Sequence, residues 1–342
     1  MKDKILTIDV GTGSTRAAIV RIDGAMIGFA QREYEQTTPR AGWSEQAPSL
    51  WWQAACDCIR EVLYRYPETA AQIAVIGACG QMHGTVLLDD RGELVEDRAL
   101  LWNDKRSQPQ VDAFNAREGW EKWLAHLNNP PAAAWPAFKL AWWRENHPDR
   151  WSQLAKVLMP KDYINFMLTG AMATDYSEAS CLTGERLAEH TNSRAQFFGL
   201  QRKHRRGHLF RAVLEGVAFA SWRNLRQLQK CGQYPQQMIA SGGGARSSLW
   251  LEIKAAAYNL PILSTRNQEN GVTGCGIIAG VGVGLYADFA SGVRQTVQFD
   301  KLISPDPRLR DYYHACCELF DTLYRQSAAL YDRLDALSVG PD

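Results

Sequence analysis

The stretch from Ile5 to Val20, ILTIDVGTGSTRAAIV, is the strongest constraint on what this chain can become. Two short apolar runs flank a turn dense in Gly, Thr and Ser, which predicts a β-hairpin with chemistry at its tip. Gly11 and Gly13 are expected to let the backbone turn with positive φ and approach a ligand closely. Thr12 and Ser14 add hydroxyls, and the N–H groups of the turn converge on an anion. A nucleotide phosphate is the anion that fits. Asp9, at the end of the first strand, is placed to hold a hydrated Mg²⁺ beside that phosphate, because this hard cation takes few protein oxygens and keeps several waters. Arg16 adds positive charge. The same residues also suit a solvated hairpin with no ligand, since short Gly/Ser motifs recur by chance.

A length of 342 residues predicts two domains with chain enough for a core in each. Lys and Arg number 38 against 37 Asp and Glu, a net charge of +1, so no global field favours nucleic acid or an anionic membrane and small neutral partners suit the chain better. The eight cysteines, at 56, 58, 79, 181, 231, 275, 316 and 317, form no C-x-x-C pair and have no His at zinc spacing. They read as buried thiols of a reducing cytosol. The chain enters a strand directly, with no basic segment leading into an apolar one and no apolar run of membrane-spanning length, so a cytoplasmic location is expected.

Along the chain, Asp23-Gly24 signals a turn and Met26 to Arg32 a third strand, giving an antiparallel meander. Pro48 opens a helix to about Tyr66. Ile73 to Cys79 reads as a strand, followed by the polar turn Gly80-Gln81-Met82-His83-Gly84 and another strand from Thr85 to Leu88. The order βββαβ leaves polar residues at the C-terminal end of a strand, where ligand sites of α/β folds gather. Gln81-Met82-His83 and Trp102-Asn103-Asp104 together supply an amide, an imidazole, an indole face and a carboxylate, a set suited to sugar hydroxyls; two surface turns would carry the same residues. Arg106 to Gly170 reads as helical, with helices opening at Pro136 and Pro160.

The organisation changes abruptly near Ser180. Arg202 to Arg206 is the densest charge run; without interleaved aromatics and with a near-zero net charge it reads as a solvated loop rather than a nucleic-acid patch. Gly207 to Lys230 is a core helix with a stripe at Leu209, Ala212, Val213, Gly216, Val217 and Ala220. The strand Met238 to Ala240 leads into Gly242-Gly243-Gly244-Ala245 and a helix from about Ser248, a bare surface on which a nucleotide can lie. The glycines between Gly274 and Gly284 predict a closely packed helix, and Leu309 to Leu337 a final amphipathic one.

These motifs resemble the FGGY family of carbohydrate kinases, and among them the xylulokinase-like members. The resemblance rests on Asp9 to Ser14, Gly80 to Gly84, Leu101 to Asp104, Lys161-Asp162-Tyr163, Thr183-Gly184-Glu185-Arg186 and Ser241 to Arg246. It also rests on Ala195 to Leu200 continuing through His208-Leu209 to Glu215, and on Pro136 to Asn146, where Ala134 and Trp143 depart from the usual residue types. It implies an α/β architecture of two actin-like, ribonuclease-H-like ATPase domains, residues 1–180 on the sugar side and 181–342 on the adenosine side. It further implies ATP with Mg²⁺ as cofactors and a sugar, such as a pentulose, as acceptor. By position, Asp9 would serve the metal, and Thr12, Gly13, Ser14 and Arg16 the phosphates. Gln81, Met82, His83, Trp102 and Asp104 would face the sugar, and Gly242, Gly243, Gly244 and Ala245 the adenosine.

The pattern breaks between Ala179 and Thr183, where it jumps from inside the first family domain to inside the second. Relatives carry there a Gly-Gly-Gly-Asp stretch whose Asp is the catalytic base, and a second phosphate turn. Neither occurs here, so the family base is absent, and both domains are expected to be incomplete. Asp104 and Glu185 are the acidic residues that would have to replace it, and Ala256 stands where relatives tend to have Asp. An ATP-dependent kinase of a sugar hydroxyl is the function the resemblance implies, with a catalytically silent homologue that binds nucleotide or sugar as the alternative; without the base, phosphoryl transfer is expected to be very weak or absent. Strand edges uncovered by the break are expected to favour a homo-oligomer.

Overall fold

A computed structural model describes residues 2–119, 131–175, 196–267 and 269–337. The apolar runs of the opening stretch become strands β1 (Lys4–Val10) and β2 (Ser14–Arg21), and β3 (Met26–Glu33) completes the antiparallel meander. A two-residue strand, β4 (Glu45–Gln46), precedes helix α1 (Pro48–Arg65), whose proline occupies the first turn, where no N–H is missed. Strand β5 (Ile73–Gly80) then returns parallel to β1, in register with Asp9 opposite Cys79. The resulting sheet has the order β3-β2-β1-β5.

There follow β6 (Val86–Leu88), β7 (Ala99–Leu100), α2 (Gln108–Glu118), α3 (Pro136–Asn146), α4 (Pro148–Trp151), β8 (Lys156–Leu158) and α5 (Pro160–Thr169). Strand β8 interrupts a stretch expected to be helical throughout, because its Val157 and Leu158 are needed to pair antiparallel with β6. Further on lie α6 (Arg206–Lys230), β9 (Met238–Ala240), α7 (Ser248–Tyr258), β10 (Ile262–Thr265), α8 (Asn270–Gly282), α9 (Phe289–Thr296), β11 (Phe299–Ile303) and α10 (Arg310–Leu337). No helix among the described residues is long and apolar enough to cross a membrane.

The chain divides into two compact units, one of residues 1–186 with 271–296, the other of residues 187–270 with 297–342. A single boundary after residue 180 misses the return of 271–296 to the first unit. The reason lies in the alternation of β1. Its residues Leu6, Ile8 and Val10 face α1, clustering with Cys58 and Val62 or with Trp51 and Ala55. Its opposite face, Ile5, Thr7 and Asp9, receives α8. A Cβ on Gly280 would lie 3.2 Å from Ile5, one on Gly276 would lie 3.6 Å from Thr7, and one on Gly271 would lie 2.5 Å from Asp9. Three helical glycines thus follow three alternate residues of one strand, and Val272 closes the contact against Ala18 and Val20.

In the second unit, β9 and β11 flank β10, parallel and antiparallel to it respectively. Met238, Ala240, Ile262 and Ile303 pack on Leu251 and Ala255 of α7. On the other face the register aligns Ile239, Leu263 and Leu302, and the outer two stand 61% and 60% exposed. Helix α6 forms as expected, but its face differs. Ala218, Phe219, Trp222 and Leu225 are buried, while Val213 and Val217 of the expected stripe are about half exposed. The sequence carries two overlapping stripes, and packing by Ile253, Ala256 and Tyr313 selects the C-terminal one.

Candidate functional site

At the tip of the first hairpin, Gly11 N–H donates to Ser14 O at 2.9 Å and closes the turn. Neither Gly11 nor Gly13 has the expected positive φ. Gly11 is needed for room, since a Cβ there would stand 3.1 Å from Ser14 O, whereas Gly13 faces open space and presents bare backbone. Tyr34 braces the turn: its hydroxyl donates to Gly11 O at 2.7 Å and its N–H to Gly13 O at 3.1 Å. Burial pushes the Tyr34 phenol above its ordinary pKa, so it stays protonated and donating. Thr12 and Gly13 remain accessible, but Ser14 is buried.

Asp9 sits one residue pair below the turn. Its Oδ2 accepts from Arg16 Nη1 at 3.2 Å, and its side chain keeps 16% exposure beside Gly271 in the first turn of α8. Cys79, its partner in the β1–β5 register, lies within reach of Gly271 O at 3.5 Å. The neighbouring Cys275 and burial raise the Cys79 thiol pKa, so it stays neutral. Among the described residues, no group of three or more His, Cys, Asp or Glu could hold a metal by itself. A single reachable carboxylate beside the Gly11–Ser14 turn is a donor set that Mg²⁺ accepts when phosphate and water supply its remaining ligands.

The residues expected to face the sugar join this turn through a side chain that sequence reasoning missed. Gln46 donates from Nε2 to Thr12 O at 2.7 Å, while its Oε1 accepts from Trp51 Nε1 at 3.0 Å and Gln81 Nε2 at 3.1 Å. Trp102 Nε1 donates to Thr12 Oγ1 at 3.0 Å. Thr12, Gln46, Gln81 and Trp102 therefore form one connected network. The buried Oε1 of Gln81 finds no donor among the described residues. Met82 is 45% exposed, and His83 is buried, with a left-handed φ of 62°.

Asp104 belongs to a different cluster. Its carboxylate accepts from Ser44 N–H at 2.6 Å, from Arg106 N–H at 2.9 Å and from the Arg106 guanidinium at 2.8–3.0 Å. Arg106 also reaches Glu45 at 2.6 Å and lies 3.7 Å over the Trp43 ring. This buried carboxylate, its oxygens satisfied by N–H donors, braces its own loop, so a substitute base would have to break that ion pair. Glu185 falls outside the described residues, as do both sides of the break at 179–183. Beside Arg106 a cavity of about 400 Å³ is lined by Trp43, Trp142 and Lys139, among others.

In the second unit, Gly242 takes φ of 79°, a conformation that favours glycine, and Gly243 is exposed with nothing near its missing Cβ. Gly244 lies flat on Trp250, where a Cβ would meet the ring at 2.4 Å. Ser247 caps α7 by accepting from Trp250 N–H at 3.3 Å. Ala245 is buried in the β9–α7 core. Gly242 and Gly243 supply the accessible backbone, and Gly244 and Ala245 fix its curvature.

The profile of the FGGY family of carbohydrate kinases, N-terminal domain, matches residues 4–243. The chain is 34% identical over 176 residues to a xylulose kinase of Lactococcus lactis, covering 52% of this chain and 35% of that relative. The matched stretch thus spans about a third of the relative's length. A xylulose kinase of Staphylococcus epidermidis aligns at 19% identity over 492 positions, more than the chain contains, covering 96% of this chain and 98% of the relative. A ligand-bound xylulose kinase structure from Lactobacillus acidophilus superposes with a TM-score of 0.83 at 18% identity, covering 97% of this chain and 99% of the other.

Proposed function

The chain belongs to the FGGY family of carbohydrate kinases, and we propose that it binds a magnesium nucleotide and an open-chain ketopentose but transfers phosphate only weakly. The observation that carries the sugar reading is the buried Oε1 of Gln81, which has no donor among the described residues, in the same network as Trp102 and Thr12. A buried acceptor without a donor costs free energy, which a sugar hydroxyl would recover. Trp102 would offer its ring face, and Met82 and His83 would complete the contact. On the nucleotide side, Thr12, Gly13 and Arg16 would meet the phosphates with Ser14 holding the turn, and Gly242 to Ala245 the adenosine. Mg²⁺, held by Asp9, would supply charge neutralisation at the transferred phosphoryl group.

In-line transfer also requires a group that takes the proton of the attacking hydroxyl. Asp104 is engaged by Arg106 and Ser44, and the family base has no counterpart in the sequence. Binding with poor turnover follows. A cytoplasmic location and self-association through the uncovered Ile239–Leu302 face complete the proposal. Titration calorimetry with D-xylulose tests the sugar site. Gln81→Leu should weaken binding by about tenfold, the cost of one hydrogen bond to a buried partner. Equal affinity for both proteins would refute the placement.

A further inference from the structure

Lys139 is 1% exposed, and its Nζ donates to the backbone carbonyls of His83 at 2.6 Å and Leu100 at 3.3 Å. Neither acceptor is a carboxylate, which is unusual for a fully buried lysine. His83 is one of two described non-glycine residues with positive φ, and that conformation costs free energy unless its surroundings impose it. Around it, Thr85 Oγ1 donates to the same His83 carbonyl at 3.3 Å, and Thr85 N–H donates to Leu100 O at 3.1 Å. Gly84 is pressed on Pro160, where a Cβ would lie 2.5 Å from the ring. We propose that Lys139 is the positioning residue of the 81–85 loop, fixing His83 in its left-handed conformation by tying its carbonyl to Leu100. The loop's role in sugar binding rests on the function proposed above; the positioning itself does not.

This tie also explains why a lysine is tolerated so deep. Asp104 compensates part of the buried charge, Arg106 opposes it, and burial brings the Lys139 pKa down to about 7. Arg40, Glu45, Glu96, Arg98 and His147 are the other charged or titratable groups around the cavity that Lys139 lines. Opening the loop to water would restore an ordinary lysine, so the open form binds more protons than the closed one. Closure therefore tightens as pH rises above about 7.

Amide hydrogen exchange at Thr85 and Gln81, followed without ligand, tests the tie. Lys139→Met should speed exchange at Thr85 by about tenfold, the loss expected when a buried carbonyl is left without its donor. Exchange at β2 should be unchanged. In the unaltered protein, protection of Thr85, corrected for the chemical exchange rate, should increase from pH 7 to 8.5. That arm decides the matter even if Lys139→Met fails to fold. Unchanged Thr85 exchange in a folded variant, or protection independent of pH in the unaltered protein, would overturn the inference. D-xylulose titration of both proteins separates the two ideas. No sugar binding by the unaltered protein defeats the function, while the exchange result still judges Lys139.

Discussion

Gly271 lies so close to Asp9 that a Cβ on it would stand 2.5 Å from the carboxylate oxygen Oδ2. A helix N-terminus and an expected metal ligand thus meet at a position where only glycine leaves the carboxylate in place. Gly271→Ala should push Asp9 aside and weaken magnesium-dependent ADP binding by about tenfold, near 1.4 kcal/mol. Gly274→Ala, on the same helix with nothing within 4 Å of the new atom, should instead stabilise the protein by about 1 kcal/mol. Calorimetry and thermal melts of the two variants give the comparison. Equal effects on ADP binding would contradict it.

Arg106 is the counter-charge of Asp104, whose side chain has no exposure. Arg106→Leu would leave that carboxylate buried without its partner and remove the contact with Trp43. A loss of about 3–5 kcal/mol is expected in urea unfolding. A loss below about 1 kcal/mol would mean that Asp104 is solvated and available for chemistry.

Lys139 makes the sign of one pH dependence definite. Below pH 7 the lysine is charged in both folded and unfolded chains. Between about 7 and its ordinary value of 10.5 the unfolded chain holds the proton that the folded one has released. Stability should therefore rise with pH across that window. Urea midpoints at pH 6.5 and pH 9 should differ more for the unaltered protein than for Lys139→Met. Parallel pH profiles would show that the group does not titrate there.

Ile239 and Leu302 form the exposed ends of a row across the β9-β10-β11 sheet. Leu302→Glu should reduce self-association in sedimentation velocity and change stability by no more than about 0.5 kcal/mol, as an exposed position allows. Unchanged association would place the contact elsewhere.

The parts legible in the sequence are those written as local pattern. The apolar runs within Ile5 to Val10 and Thr15 to Val20, flanking the Gly-rich turn, specify the hairpin, and prolines at 48, 136 and 160 open three helices where expected. Gln46 was not legible: it stands in a two-residue strand, and nothing local distinguishes a polar hub from a polar surface residue. The glycines between Gly274 and Gly284 predict that α8 packs closely, as Gly276 and Gly280 do, but the neighbour, β1, and the contact of Gly271 with Asp9 are matters of tertiary pairing. Asp104 reads equally as a ligand for a sugar or for its own chain, and only the fold brings Ser44 and Arg106 onto it. At the tip, Gly11 is constrained by crowding rather than by φ, a distinction that residue type alone does not carry.

Asp9, the Thr12 turn and the Gln81–Trp102 network are proposed to bind substrates that the chain phosphorylates poorly. A coupled assay of ADP release, run on the purified chain with ATP, Mg²⁺ and D-xylulose, tests it most directly. The expected result is release close to the sugar-free background and little altered by Asp9→Ala. Robust release that depends on D-xylulose and is abolished by Asp9→Ala would contradict it, showing that a base for the acceptor hydroxyl is present after all.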